Sequence, residues 1–218
     1  MSDLLTQLNG GSVPTLELIF MLTLVALLPS IVIMMTSFTR TIIIISFTRN
    51  AMGVQQAPPN MVLVGISLFL TLYIMSPVID QINEEAYQPY LREEITQEEA
   101  IDRMVVPMKQ FMLRNTEVNT LDNFIAMSGT EVEEDPMDYP LTVVVPSFMT
   151  SELKKGFIAG FCIYLPFLLV DIIVSTTLMS MGMVMLPPAM VSLPFKLLLF
   201  VTVDGWELIF SNIVRGFK

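Results

Sequence analysis

The chain has 218 residues, 53% hydrophobic and only 15% charged, and its mean hydropathy is +0.67. Soluble domains carry about 25% charged residues, so a water-solvated globule and a disordered chain are both excluded. Histidine is absent and Cys162 is the single cysteine, which removes His-based acid–base chemistry, His/Cys metal sites and any intrachain disulfide.

Residues 1–15 are polar, with Asp3, Gly10, Gly11 and Pro14. No basic region precedes the first apolar stretch, so this start does not read as a cleavable signal peptide. That stretch runs from Leu16 to Phe47, longer than the ~20 residues that cross a bilayer core. Pro29 is expected to kink it, and Arg40 interrupts its second half. A second apolar stretch covers Met61–Ile79 and ends near Pro77. The tip between them, Asn50–Asn60, contains Gly53 and Pro58-Pro59, so residues 16–79 read as a helical hairpin.

Residues 80–155 form a polar insert. Between Asp80 and Lys155 there are 16 acidic and 6 basic residues, which accounts for the whole net charge of −10; the rest of the chain carries five of each sign. An acidic chain without a basic stripe repels phosphates, so no nucleic-acid partner is expected. Within the insert, Thr96-Gln-Glu-Glu99 is a capping box. Ile101, Val105, Met108 and Met112 recur at helical spacing, with a break expected at Pro107. A short helix capped by Thr120 is expected over Thr120–Met127, and Glu131–Asp138 reads as a solvated loop. The insert is too small for a robust core of its own and should lean on its neighbours.

Residues 156–218 hold the third and fourth apolar stretches, Gly156–Met179 and Val191–Val214. Their short connection, Ser180–Met190, contains Gly182 and Pro187-Pro188 and marks a second hairpin. The expected fold is therefore an all-α membrane protein of bent helical hairpins, four apolar segments in all, with a small acidic helical insert outside the cytoplasm. Continuous rather than alternating apolar runs exclude a β-barrel. The positive-inside rule, applied to Arg40 and Arg49 against the acidic insert, places the first tip on the cytoplasmic side.

Three features could carry function. The first is a set of charges inside apolar segments: Arg40, Asp171, Lys196, Asp204 and Glu207. Such groups face protein or water rather than lipid. An intramembrane aspartyl protease would need Gly-x-Gly-Asp and Tyr-Asp contexts, whereas the aspartates here stand in Leu-Val-Asp171 and Val-Asp204-Gly-Trp. Neither matches, and a proton relay is a weaker reading than a structural one. In the structural reading Arg40, Asp171, Lys196 and Asp204 fix helix or subunit register, with Arg40 and Lys196 as candidate ion-pair partners. The second feature is methionine. Of 18 Met in the chain, Met179, Met181, Met183, Met185 and Met190 cluster at the second hairpin tip. The cluster reads as a membrane-buried turn or, more sharply, as a deformable apolar closure, because Met packs adaptably and apolar constrictions block ions by dewetting. The third is glycine and proline. Gly156-x-x-x-Gly160 permits close helix approach, and Pro29, Pro77, Pro166 and Pro194 bend helices in ways that suit protein neighbours better than lipid. No phosphate loop, nucleophile elbow or kinase set is present, and no cofactor is implied.

Several runs together resemble the FliP family of flagellar export-gate proteins. They are Thr36-Ser-Phe-Thr-Arg40, Gly53-Val-Gln-Gln-Ala-Pro-Pro-Asn60, Met75-Ser-Pro77, Pro146-Ser-Phe148 with Ser151-Glu-Leu-Lys154, Leu165-Pro-Phe167 with Asp171, Leu178-Met-Ser-Met-Gly182, and Leu193-Pro-Phe-Lys196 through Val203-Asp-Gly-Trp206. The resemblance runs from Thr36 to the C-terminus. It implies a non-enzymatic inner-membrane subunit of the flagellar basal body. About five copies would assemble with FliQ- and FliR-like membrane subunits and an FlhB-like export component, forming the mouth of the channel for unfolded flagellar proteins. It also implies that Met183, Val184 and Met185 stand where the family has a run of three methionines that closes the pore, with Gly182, Pro187 and Pro188 shaping the loop. Val184 departs from that run, and valine is stiffer than methionine. The virulence type III secretion branch shares these motifs and is the alternative. A stand-alone channel or transporter and an intramembrane hydrolase are the remaining classes.

Overall fold

The computed structural model describes residues 14–54 and 56–217. Among them there is no strand. The polar segment read over residues 1–15 lies, apart from Pro14 and Thr15, outside the described residues.

The first apolar stretch is two helices, α1 (Pro14–Met35) and α2 (Phe38–Ala51). The helix runs through Pro29 and breaks instead at Thr36–Ser37. After the tip, α3 (Asn60–Ile82) continues through a wider turn at Asn83–Tyr87 into Gln88–Leu91, a rod of 32 residues. The insert contributes α4 (Gln97–Asn115) and α5 (Val118–Ser128). The 40-residue α6 (Leu141–Ser180) follows, and α7 (Pro188–Thr202) and α8 (Gly205–Arg215) end the chain, meeting at 60°. The rod from Asn60 to Leu91 and α6 are each long and apolar enough to cross a membrane, and α7 with α8 qualify as a bent pair.

Four expectations differ from this outcome. Pro107 does not break α4; it is buried within a helix that starts at the Thr96 cap, whose hydroxyl accepts from the Glu99 N–H at 3.3 Å. The helix expected to start at Thr120 starts at Val118, because Glu117 is the cap residue and accepts the first turn's N–H groups from Thr120 and Leu121. The fourth apolar stretch, read as one run bent at Pro194, is two helices that break at Asp204. Finally, the 155/156 boundary falls inside α6, which joins the insert to the second hairpin as one rod.

The core surrounds α2. Its Ile-rich sequence is a poor intrinsic helix former, so its conformation rests on burial. Ile44, Ile45, Thr41, Thr48 and Ala51 are all buried. One side of α2 meets a stripe of small residues on the first half of α6, Ser147, Ser151, Gly156 and Gly160, all buried. A Cβ on Gly156 would lie 3.2 Å from Ile43, and one on Gly160 would lie 2.5 Å from the Phe47 ring. At Gly160 only glycine allows that approach, and at Gly156 any larger residue would be tight. Six buried hydroxyls are satisfied within their own helices: Thr41, Thr48, Ser67, Thr71, Ser147 and Ser151 each donate to the carbonyl four residues back, at 2.6–2.9 Å.

The insert has no separate centre. Phe111 of α4 packs against Phe148 of α6 at 5.8 Å and stacks on Phe217 at 6.1 Å. The Glu117 N–H donates to Ser151, Lys154 pairs with Glu117 at 2.6 Å, and Lys155 donates to the Asn115 carbonyl at 2.7 Å. The insert thus rests on the same half of α6 that carries α2.

Candidate gate loop and its bracing charges

In the contacts Arg40–Glu152, Ile43–Gly156 and Phe47–Gly160, α2 and α6 run side by side in the same direction. Carrying that register on, α2 ends level with residue 164 of α6. The second hairpin therefore continues past the end of α2 by roughly 16 residues, about 24 Å at 1.5 Å per residue. The far end of that overhang is the loop from Met181 to Pro187.

Local chemistry shapes this loop. Gly182 sits at φ +75, its N–H donates to the Met179 carbonyl, and the Met183 N–H reaches back to Leu178, both at 3.0 Å. This is the glycine-capped stop in which a left-handed residue satisfies the last carbonyls of a helix. Pro188 at the first position of α7 and Pro187 before it restart the chain, since a fixed φ suits a helix N-terminus. Between these stops stand Met183, Val184 and Met185, which are 42%, 79% and 98% exposed. They form an apolar prow that the described residues leave largely uncovered.

Two ion pairs brace the hairpins, and they differ in kind. Arg40 is buried and grips three things. It forms a two-pronged pair with the fully buried Glu152, with Nε–Oε2 at 2.9 Å. It donates to the Gly216 carbonyl at 3.1 Å, and its guanidinium lies 3.8 Å from the Phe217 ring centre. A planar fork that also stacks is arginine chemistry. It ties α2, α6 and the end of α8 at one point. Lys196 of α7 pairs with Asp171 of α6 at 2.6 Å, and Ser192 donates to the other Asp171 oxygen at 2.6 Å. Lys196 also lies against Gly53, so this pair sits where the second hairpin meets the first tip.

The structure brings Arg40, Asp171 and Lys196 into pairs. Asp204 stands apart: it is exposed, at φ 49, at the α7–α8 corner, and its side chain makes no cap hydrogen bond. The corner is held instead by aromatics. Phe200 contacts Trp206 at 5.1 Å and Phe167 at 6.3 Å, and a Cβ on Gly205 would lie 2.3 Å from the Phe200 ring. Glu152 was the residue missed from sequence. In the sequence it counts among the insert's acids and stands in the run Ser151-Glu-Leu-Lys154; the signal that marks it is its place in the small-residue stripe, between Ser151 and Gly156. Among the described residues, no group of three or more His, Cys, Asp or Glu could hold a metal ion.

These observations define an all-α membrane protein of bent hairpins, braced by buried ion pairs and ending in an uncovered apolar loop. A family model described as FliP family matches residues 21–213, and the chain belongs to that family. It is 47% identical over 212 residues to the flagellar biosynthetic protein FliP of Aquifex aeolicus, covering 96% of this chain and 89% of that one. It is 46% identical to the FliP of Bacillus subtilis, over 93% and 92% of the two chains. It is also 46% identical to the FliP of Pectobacterium carotovorum, over 96% and 82%.

Proposed function

We propose that the chain is a structural, non-enzymatic subunit of the flagellar type III protein export gate. It forms the mouth through which unfolded flagellar proteins leave the cytoplasm across the inner membrane. Met183, Val184 and Met185 from several copies meet on an axis, exclude water and ions, and yield to a passing chain. Gly182, Pro187 and Pro188 fix the loop, while Arg40–Glu152 and Lys196–Asp171 hold the register of the hairpins that carry it. Asp204 turns the corner behind them.

The observation that carries this reading is the exposed prow on an overhanging apolar hairpin. A chain of 24.5 kDa that folds compactly exposes about 10,000 Å²; this one exposes 14441 Å². The apolar side chains left uncovered on so extended a chain mark contact with other chains or with lipid. About five copies, with FliQ- and FliR-like subunits and an FlhB-like component, would cover them. The flagellar branch is favoured over virulence secretion by the flagellar names of the relatives.

The test is the mass and composition of the complex extracted in mild detergent. A multimer of this chain with two smaller membrane partners supports the reading. A monomer, or a functional channel made of this chain alone, overturns it.

A further inference from the structure

Three hydroxyls stand at the joint between α1 and α2, on Thr36, Ser37 and Thr39. Two of them take over bonds that an unbroken helix makes with its own backbone. The Phe38 N–H, which an unbroken helix would direct to the carbonyl of Met34, meets the Thr36 hydroxyl at 3.4 Å. The Thr39 hydroxyl donates to the Ile33 carbonyl at 2.9 Å. These two residues are six apart, about 9 Å along an unbroken helix, so the bond closes only because the helix is interrupted between them.

The third hydroxyl, on Ser37, is fully buried and has no hydrogen-bond partner among the described residues. It is an exception in its surroundings. Thr41 and Thr48 of α2 each donate to the carbonyl four residues back. For Ser37 that carbonyl belongs to Ile33, the one that Thr39 holds. A buried hydroxyl without a partner costs stability that pairing recovers. One carbonyl therefore has two donors: Thr39 when the helix is broken, and Ser37 when α1 and α2 run on as one helix.

We propose that the joint is a two-state hinge, in which the Ile33 carbonyl changes from Thr39 to Ser37 as α1 swings into line with α2. The part that swings is α1, an apolar helix with Leu18, Leu22 and Val25 exposed. The part that stays is α2, packed into the core. A helix so apolar is covered in its working place, and the hinge lets it take that place without unpacking α2. The hinge stands whether or not the methionine loop is a gate.

The test is a distance across the joint. Cys162 is exposed and is the chain's only thiol, and Val25 lies about 16 Å beyond the joint. Spin labels on Cys162 and on Val25→Cys, in full chain diluted with unlabelled chain in mild detergent, are read by pulsed electron resonance. Two distances are expected. Ser37→Ala depletes the population with the helix unbroken about fivefold, the worth of one hydrogen bond, and Thr39→Val enriches the same population. Thr23→Val, which removes a hydroxyl bonded within α1 to the Ile19 carbonyl, leaves both populations as they were. A single distance in every variant, a shift of the same sign in Ser37→Ala and Thr39→Val, or an equal shift in Thr23→Val overturns the proposal. Should Thr39→Val not fold, Ser37→Ala against Thr23→Val decides it.

Discussion

Arg40 and Glu152 lie 112 residues apart in the chain and form a two-pronged ion pair in the buried seam between α2 and α6. Neither member can be removed alone without leaving the other charged, desolvated and without its counter-ion. Truncating one partner of a buried pair costs about 3–5 kcal/mol, whereas replacing both with apolar groups of similar volume is close to neutral. Glu152→Ala should therefore lower the unfolding midpoint in detergent sharply, and Arg40→Met with Glu152→Leu should recover most of the loss. A double variant no better than the single one would show that the pair is not the source of the effect.

The seam also sets an order among glycine substitutions. Gly160→Ala places a methyl 2.5 Å from the Phe47 ring, whereas Gly156→Ala meets Ile43 at 3.2 Å. Overpacking of the first kind costs about 1–3 kcal/mol, and the second should cost less, because the neighbour need give by only a few tenths of an ångström. Thermal midpoints of the two variants check this, and the reverse order would mean that the seam is wider than described.

At the loop the cause is backbone rather than packing. A Cβ on Gly182 meets nothing within 4 Å, yet φ is +75. Gly182→Ala should thus cost about 1 kcal/mol in conformational strain alone, and Gly182→Asn less, because asparagine tolerates the left-handed region. Limited proteolysis of the loop would separate the two. Equal susceptibility of Ala and Asn variants argues against a conformational role for the glycine.

For the gate itself, Met183→Ala with Met185→Ala should leave the assembled complex intact but raise its resting ion conductance. Met185 is almost wholly exposed and Met183 partly so, and neither belongs to the buried core, so their loss leaves the fold largely alone and thins the apolar plug. Planar-bilayer recordings and export measurements read the outcome. Unchanged conductance together with unchanged export removes the loop from the gating role.

Much of the architecture was legible because it is written locally. Apolar runs long enough to cross a bilayer, the two Pro/Gly tips and the acidic insert follow from side-chain transfer energies and backbone preferences, each a property of a short window. The methionine loop was legible for the same reason, since Gly182 and Pro187-Pro188 state their turn chemistry in place. Proline misled at Pro107, which stays inside a continuous helix, while breaks fall at Thr36–Ser37 and Asp204. A break depends on what the neighbouring helix can supply, which no window contains.

Which charges pair, and which side chains stay uncovered, was decided by tertiary structure. Glu152 and Asp204 are both acids beside a small residue, yet one is buried against Arg40 and the other faces outward. The sequence determined that buried charges would need partners. Only the parallel register of α2 on α6, set by Gly156 and Gly160 admitting Ile43 and Phe47, chose Glu152 and left Met185 exposed beyond the end of α2. Ion pairing and exposure are properties of distance in space, and that distance is fixed by close packing between segments far apart in the chain.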